Sequence, residues 1–112
     1  MQYALMIYAE PRYNEMMSDT EREAVTAEFT VLAKDTRTVT AAQLQPVETA
    51  TSVRVVGGKT LMTDGPFADT KEVLGGLYLI DAANLDEAVE LAARIPVARL
   101  GGVVEVRPVV QR

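Results

Sequence analysis

"VLGGLYLID", residues 73–81, has the length and content of a buried strand, and its two faces decide the fold. Successive side chains of a strand point to opposite sides, so Leu77 and Leu79 lie on one face and Tyr78 and Ile80 on the other. Both faces are apolar, and a strand apolar on both faces has to be covered on both. "QYALMIYA" (2–9) repeats the pattern, with Leu5 and Ile7 opposed to Met6 and Tyr8. The closing "GGVVEVRPVV" is a strand of more mixed character, in which Glu105 and Arg107 alternate with Val104 and Val106.

Helix signals lie between these strands. Ser18 and Glu21 form a capping box, in which the Ser oxygen takes a backbone N–H three residues on and the Glu reaches back. Behind it Val25, Phe29, Leu32 and Ala33 fall on one stripe, predicting a helix near 19–36. Its end is poorly marked, because "KDTRTVT" has no glycine to close it. Asn84 and Glu87 cap a second helix near 85–94, with Leu85, Ala88, Val89 and Ala92 on one face and Pro96 as the stop. "AAQLQP" and "TSVRVV" read as short strands. Gly57–Gly58 joins "SVRVV" to "KTLMT" across a two-residue gap, a hairpin signature, since both glycines tolerate φ > 0.

The order is therefore β-α-β-(hairpin)-β-α-β. It predicts a single domain over residues 1–112, with the fold of a ferredoxin-like α+β sandwich carrying an extra hairpin. Two helices cover only one face of such a sheet. The other apolar face needs either a second copy packed around a two-fold axis or the hairpin folded over it, and the homodimer is the more economical solution.

Composition narrows the function. The chain has 112 residues with 48% hydrophobic and 24% charged, the profile of a folded domain. It contains neither cysteine nor histidine. That removes thiolate ligands and disulfides, together with the commonest metal ligand and the one side chain that ordinarily titrates near neutrality. No cofactor or metal is expected. The net charge is −5, from 11 basic and 16 acidic residues, with no basic run to meet phosphate, so nucleic acid is not an expected partner. The first apolar segment is too short to span a bilayer and lacks a basic front end. No membrane association is expected, and the default compartment is the cytoplasm. Gly57–Gly58, Gly75–Gly76 and Gly101–Gly102 match no phosphate-loop spacing.

"TDGPFADTKE" (63–72) is the segment least explained by fold alone. A turn aspartate usually accepts from the N–H two residues on, but here that residue is Pro66, which has none. The Asp64 carboxylate is left to bond Phe67 or Ala68, another part of the fold, or solvent. As a functional group Asp64 is a general base or ligand anchor; as a structural one it caps backbone N–H groups near Phe67. Phe67 is expected to plug the loop into the core. Asp69 and Lys71 follow, and Arg99 precedes the last strand. Tyr8 and Tyr78 are pocket donors on the functional reading and interface fillers on the structural one.

"MTDGPFADTKEVLGGLYLID", with "LQP" before it and "GGVVEVRPV" after it, resembles the DGPF group of the YCII-related (YciI-like) proteins, along essentially the whole chain. The resemblance implies a ferredoxin-like subunit that pairs into a dimeric α+β barrel. Wider relatives act on small organic molecules in the cleft between sheet and helices, and some DGPF relatives are encoded beside extracytoplasmic-function sigma factors. The YciI branch carries a His–Asp pair, for which this chain has no histidine, and many DGPF relatives read "ARHGG" where Leu100 gives "ARLGG" here. Imidazole chemistry is therefore excluded.

Two functions follow as expectations. In one, a cleft binds a small organic ligand and processes it by proton transfer or isomerisation. Asp64 is then the catalytic acceptor, and Tyr8, Asp69, Lys71, Tyr78 and Arg99 are the ligand-binding candidates. In the other, the dimer is a non-catalytic interaction module linked to a sigma factor, with its acidic surface favouring protein over DNA.

Overall fold

The computed structural model describes residues 1–112. Six strands, β1 (Gln2–Ala9), β2 (Thr38–Gln43), β3 (Thr51–Val56), β4 (Lys59–Asp64), β5 (Val73–Asp81) and β6 (Val103–Pro108), alternate with helices α1 (Asp19–Ala33) and α2 (Leu85–Ala93). Single 3₁₀ turns stand at Val47–Thr49 and Pro96–Ala98. Four strands form an antiparallel sheet in the order β2-β5-β1-β6, while β3 and β4 pair only with each other. The chain is α+β and compatible with a ferredoxin-like sandwich, with the extra hairpin between β2 and β5. No helix is long and apolar enough to cross a membrane.

The two-faced strands take the central places. Tyr3, Leu5, Ile7 and Ala9 of β1 and Tyr78 and Ile80 of β5 are buried on the helix-covered side. Burying a side chain such as Leu5 or Ile80 contributes about 1.5–3 kcal/mol relative to exposure. Met6 and Tyr8 of β1 and Leu77 and Leu79 of β5 share the other face and are only partly covered. On that face β6 contributes Glu105 and Arg107, which pair with each other.

The capping box forms as its sequence predicts, with the Ser18 hydroxyl accepting from Glu21 N–H at 3.1 Å and the Glu21 carboxylate accepting from Ser18 N–H at 3.4 Å. α1 ends at Ala33, three residues short of the expected 36, because Asp35 turns back to accept from the Arg37 backbone N–H at 2.9 Å. The next strand then begins at Thr38 within "KDTRTVT", and "LQP" is loop rather than strand.

α2 packs closely through Ala88, Leu91 and Ala92, whereas Leu85 and Val89 are exposed. The buried stripe is rotated from the one expected, because Ile95 and Val97 continue the line set by Leu91 into the 3₁₀ turn. α1 is different. Only Leu32 is buried, Val25 and Phe29 are half-buried, and Ala33 is exposed, so the helix stands off the sheet.

A Cβ on Gly102 would lie 2.6 Å from the Tyr8 carbonyl oxygen and closer still to the Val97 Cγ1 methyl. Only glycine lets β6 come in beside β1 at this point.

Gly57 and Gly58 both have positive φ (57° and 77°), giving the type I′ geometry that matches strand twist. The hairpin they close does not fold over the open sheet face. Every residue of β4 is exposed, as is every residue of β3 except Ser52.

Candidate functional site

Where α1 stands off the sheet, a cleft of about 780 Å³ opens. That is within the range of ~300–1,000 Å³ usual for small-molecule pockets. Ile7, Gly76 and Tyr78 form its floor, and Val25, Phe29 and Ala33 of α1 form its roof. Residues 43–48 and the start of β5 close one side, and the 10–17 segment closes the other.

That last segment is a run of tight turns, with Tyr13 N–H bonded to Glu10 O, Glu15 N–H to Arg12 O and Met17 N–H to Asn14 O. Arg22 pins it to α1 by donating from Nε to Asn14 O and from its terminal nitrogen to Glu15 O, each at 3.3 Å. The charges at the mouth are mostly paired and exposed: Arg12 with Glu15 at 3.6 Å, Arg22 with Asp19 at 3.2 Å and Lys71 with Glu10 at 3.3 Å. Such pairs are individually worth little. The lining as a whole is mixed, with Ile7, Val25, Phe29 and Ala33 in its apolar part.

Two titratable groups of the lining remain uncommitted. The Tyr13 side chain packs against the core, and its hydroxyl bonds to no other protein group. Burial pushes its pKa up, so it stays a neutral O–H donor. Glu48, in the 3₁₀ turn, lines the cleft and forms no ion pair. The other lining tyrosine is already engaged: Tyr78 donates its hydroxyl to Phe29 O at 2.9 Å, and burial raises its pKa too. Nothing in "EPRYNEMM" marks Tyr13 for this place. It becomes a lining residue only because α1, β5 and its own loop converge on it.

The residues singled out from sequence are not brought together. Tyr78 lines the cleft floor, and Lys71 reaches the rim through Glu10. Tyr8 is on the open sheet face, not in the cleft. Arg99 pairs with Glu28 of α1. Asp64 and Asp69 are exposed on either side of Phe67, outside the cleft lining. The Asp64 carboxylate accepts no hydrogen bond, and the expected cap near Phe67 is not formed. Backbone and serine groups secure the root of the loop instead: Gly65 N–H donates to Ala50 O and the Ser52 hydroxyl donates to Gly65 O, both at 2.7 Å. Phe67 is not a core plug either. It is 82% exposed, because the extended chain after Gly65 carries it away from the sheet.

A second polar cluster lies away from the cleft. Arg37 grips Asp35 with two donors at 3.0 Å and reaches Glu87 of α2 at 3.4 Å, with Arg94 3.9 Å from Asp35. It ties the turn after α1 to α2. The hydrogen bonds from Arg37 hold the Asp35 carboxyl down at about 2.

Residues 1–112 match the YCII-related domain, and the chain belongs to the YCII-related family. It is similar to the uncharacterized protein R00369 of Rhizobium meliloti (strain 1021), with 36% identity over 113 residues, covering 96% of this chain and 91% of that protein.

Proposed function

We propose that this protein is a homodimeric small-molecule-binding protein of the DGPF branch, whose ligand enters the cleft between α1 and the sheet. The observation that carries this is the cleft itself, about 780 Å³ with an apolar floor and roof and one unpartnered phenol in its lining. A pocket of this kind suits a neutral, mostly apolar organic molecule with a hydrogen-bond acceptor, such as a carbonyl oxygen, for Tyr13 to meet. An anionic ligand would lose hydration with no free cation in the lining to replace it, since Arg12 and Arg22 are already paired.

The chemistry available is proton transfer. Glu48 is the acceptor on the cleft wall and Tyr13 the donor to an oxygen that gains negative charge. Asp64 takes no part in this arrangement within one chain. The homodimer rests on the open sheet face, where Met6, Leu77 and Leu79 need a cover that neither helix provides.

Thermal-shift screening against neutral aromatic and carbonyl compounds tests this reading. Tyr13→Phe is expected to keep the fold and weaken binding of any stabilising compound about tenfold, the loss of roughly one hydrogen bond. Glu48→Gln is expected to keep binding and abolish turnover. A compound bound equally well by the Tyr13→Phe protein, or a screen in which nothing stabilises the wild type, would sink the reading.

A further inference from the structure

An isolated two-stranded hairpin is marginal in water unless its apolar face is packed against something. In this chain β3 and β4 form such a hairpin, and it stands clear of the body. The radius of gyration is 15.8 Å, whereas a compact chain of this length has ~13 Å.

Strand register sorts the hairpin into two faces. Val53 and Val55 face the same way as Thr60 and Met62, while Arg54 and Val56 share the reverse side with Lys59 and Leu61. Val55 is 69% exposed and Met62 73%. The first face carries no charge between Asp64 at its root and the glycine turn. The second carries two cations suited to water.

The same chain has another uncovered apolar surface, the sheet face centred on Met6, Leu77 and Leu79. Its flanking Glu105 and Arg107 neutralise each other along β6. Covering the centre of this face therefore buries no unpaired charge, the one unpaired carboxylate on it being Asp81, exposed at the end of β5. Within one chain the hairpin does not cover it, since every residue of β4 and all of β3 but Ser52 are exposed.

We propose that the hairpin is an exchange arm. Its Val53–Val55–Met62 face lies on the open sheet face of a second copy, whose own arm covers the first in return. This rests on the homodimer of the preceding section and specifies how it is built. One two-fold operation satisfies both uncovered surfaces of both chains, whereas a different protein on either surface leaves the other bare. Area points the same way. Four strands ~4.8 Å apart, each six residues long at ~3.3 Å per residue, present a face of about 400 Å². A stable interface takes about 800 Å² from each partner, more than the sheet face alone supplies. The apolar face of the hairpin, two strands wide, adds about another 200 Å² on the same geometry and brings each partner to about 600 Å², nearer that figure than the sheet face alone.

The absence of native cysteine makes the test clean. Single-cysteine variants Val55→Cys and Thr60→Cys (arm face) and Val56→Cys (reverse face) are labelled with a water-soluble maleimide at concentrations above and below dimer dissociation. Light scattering reports assembly, and circular dichroism confirms folding. The arm predicts at least tenfold slower labelling of Val55→Cys in the dimer, recovering on dilution, with Val56→Cys unchanged. If Val55→Cys weakens the dimer, Thr60→Cys gives the same reading from the opposite strand. A dimer in which both faces label equally overturns the arm and leaves the dimer standing. A monomer at every concentration overturns both. Slow labelling of Val55→Cys in the monomer shows the hairpin covering its own sheet and overturns the exchange.

Discussion

The Tyr78 hydroxyl, on the central strand β5, donates to the carbonyl oxygen of Phe29 on α1 at 2.9 Å, spanning the cleft from floor to roof. Leu32 is the one buried residue of α1, with Phe29 packed against the core beside it, so this bond helps set how far the helix stands from the sheet. Tyr78→Phe keeps the ring packing and removes the bond. It should cost about 1 kcal/mol, lowering the melting temperature by about 4 °C for a chain of this size. Amide exchange in α1 should speed up more than in α2.

Acid should act first on the Asp35 cluster. The Asp35 side chain is 16% exposed, and Arg37 holds its carboxyl at about 2 instead of the ordinary 3.8. A carboxyl whose folded pKa lies below its unfolded pKa stabilises the fold above the unfolded value. That stabilisation is complete above about pH 4 and is lost as pH falls toward 2. Urea midpoints measured across this window should fall for the wild type. The Asp35→Asn protein should start lower and show a flatter dependence.

Two glycines should respond oppositely to the same substitution. A Cβ on Gly102 meets the Tyr8 carbonyl oxygen at 2.6 Å, and backbone within a sheet cannot step aside cheaply. Gly102→Ala should cost about 1–3 kcal/mol, the range for forced overpacking. A Cβ on Gly75 meets nothing within 4 Å, so Gly75→Ala should be neutral or slightly stabilising. Equal melting temperatures for the two variants would contradict the close approach of β6 to β1.

Asp64→Ala should change monomer stability by less than about 0.5 kcal/mol, because its exposed carboxylate holds no hydrogen bond to lose. A loss near 1 kcal/mol would show that the carboxylate caps backbone after all.

What was legible in the sequence was what local pattern decides. Ser18 and Glu21 announce a helix start because both partners of the capping box lie within one turn. Gly57–Gly58 announces its hairpin because few other residue pairs accept that turn. The two-faced strands reveal their central position through Leu77 and Tyr78 alone. β2 was harder. As an exposed edge strand its residues carry no burial pattern, so its start at Thr38 inside "KDTRTVT" left no mark. Phe67 shows the limit of composition, since an aromatic beside Asp-Gly-Pro reads as a core plug until the path of the chain is known. The cleft was not legible, because Tyr13, Phe29, Glu48 and Tyr78 meet only after α1 settles at its distance from β5.

The central position of β1 has a consequence during synthesis. Its hydrogen-bonding neighbours are β5 and β6, which end at Asp81 and Pro108. At ribosomal rates of roughly 5–20 residues per second, β1 leaves the exit tunnel several seconds before either neighbour exists. For that interval a strand apolar on both sides has both edges open, the condition under which nascent chains stick to one another. Chains stalled before β5 should be recovered bound to chaperones, and chains stalled after β6 should be released.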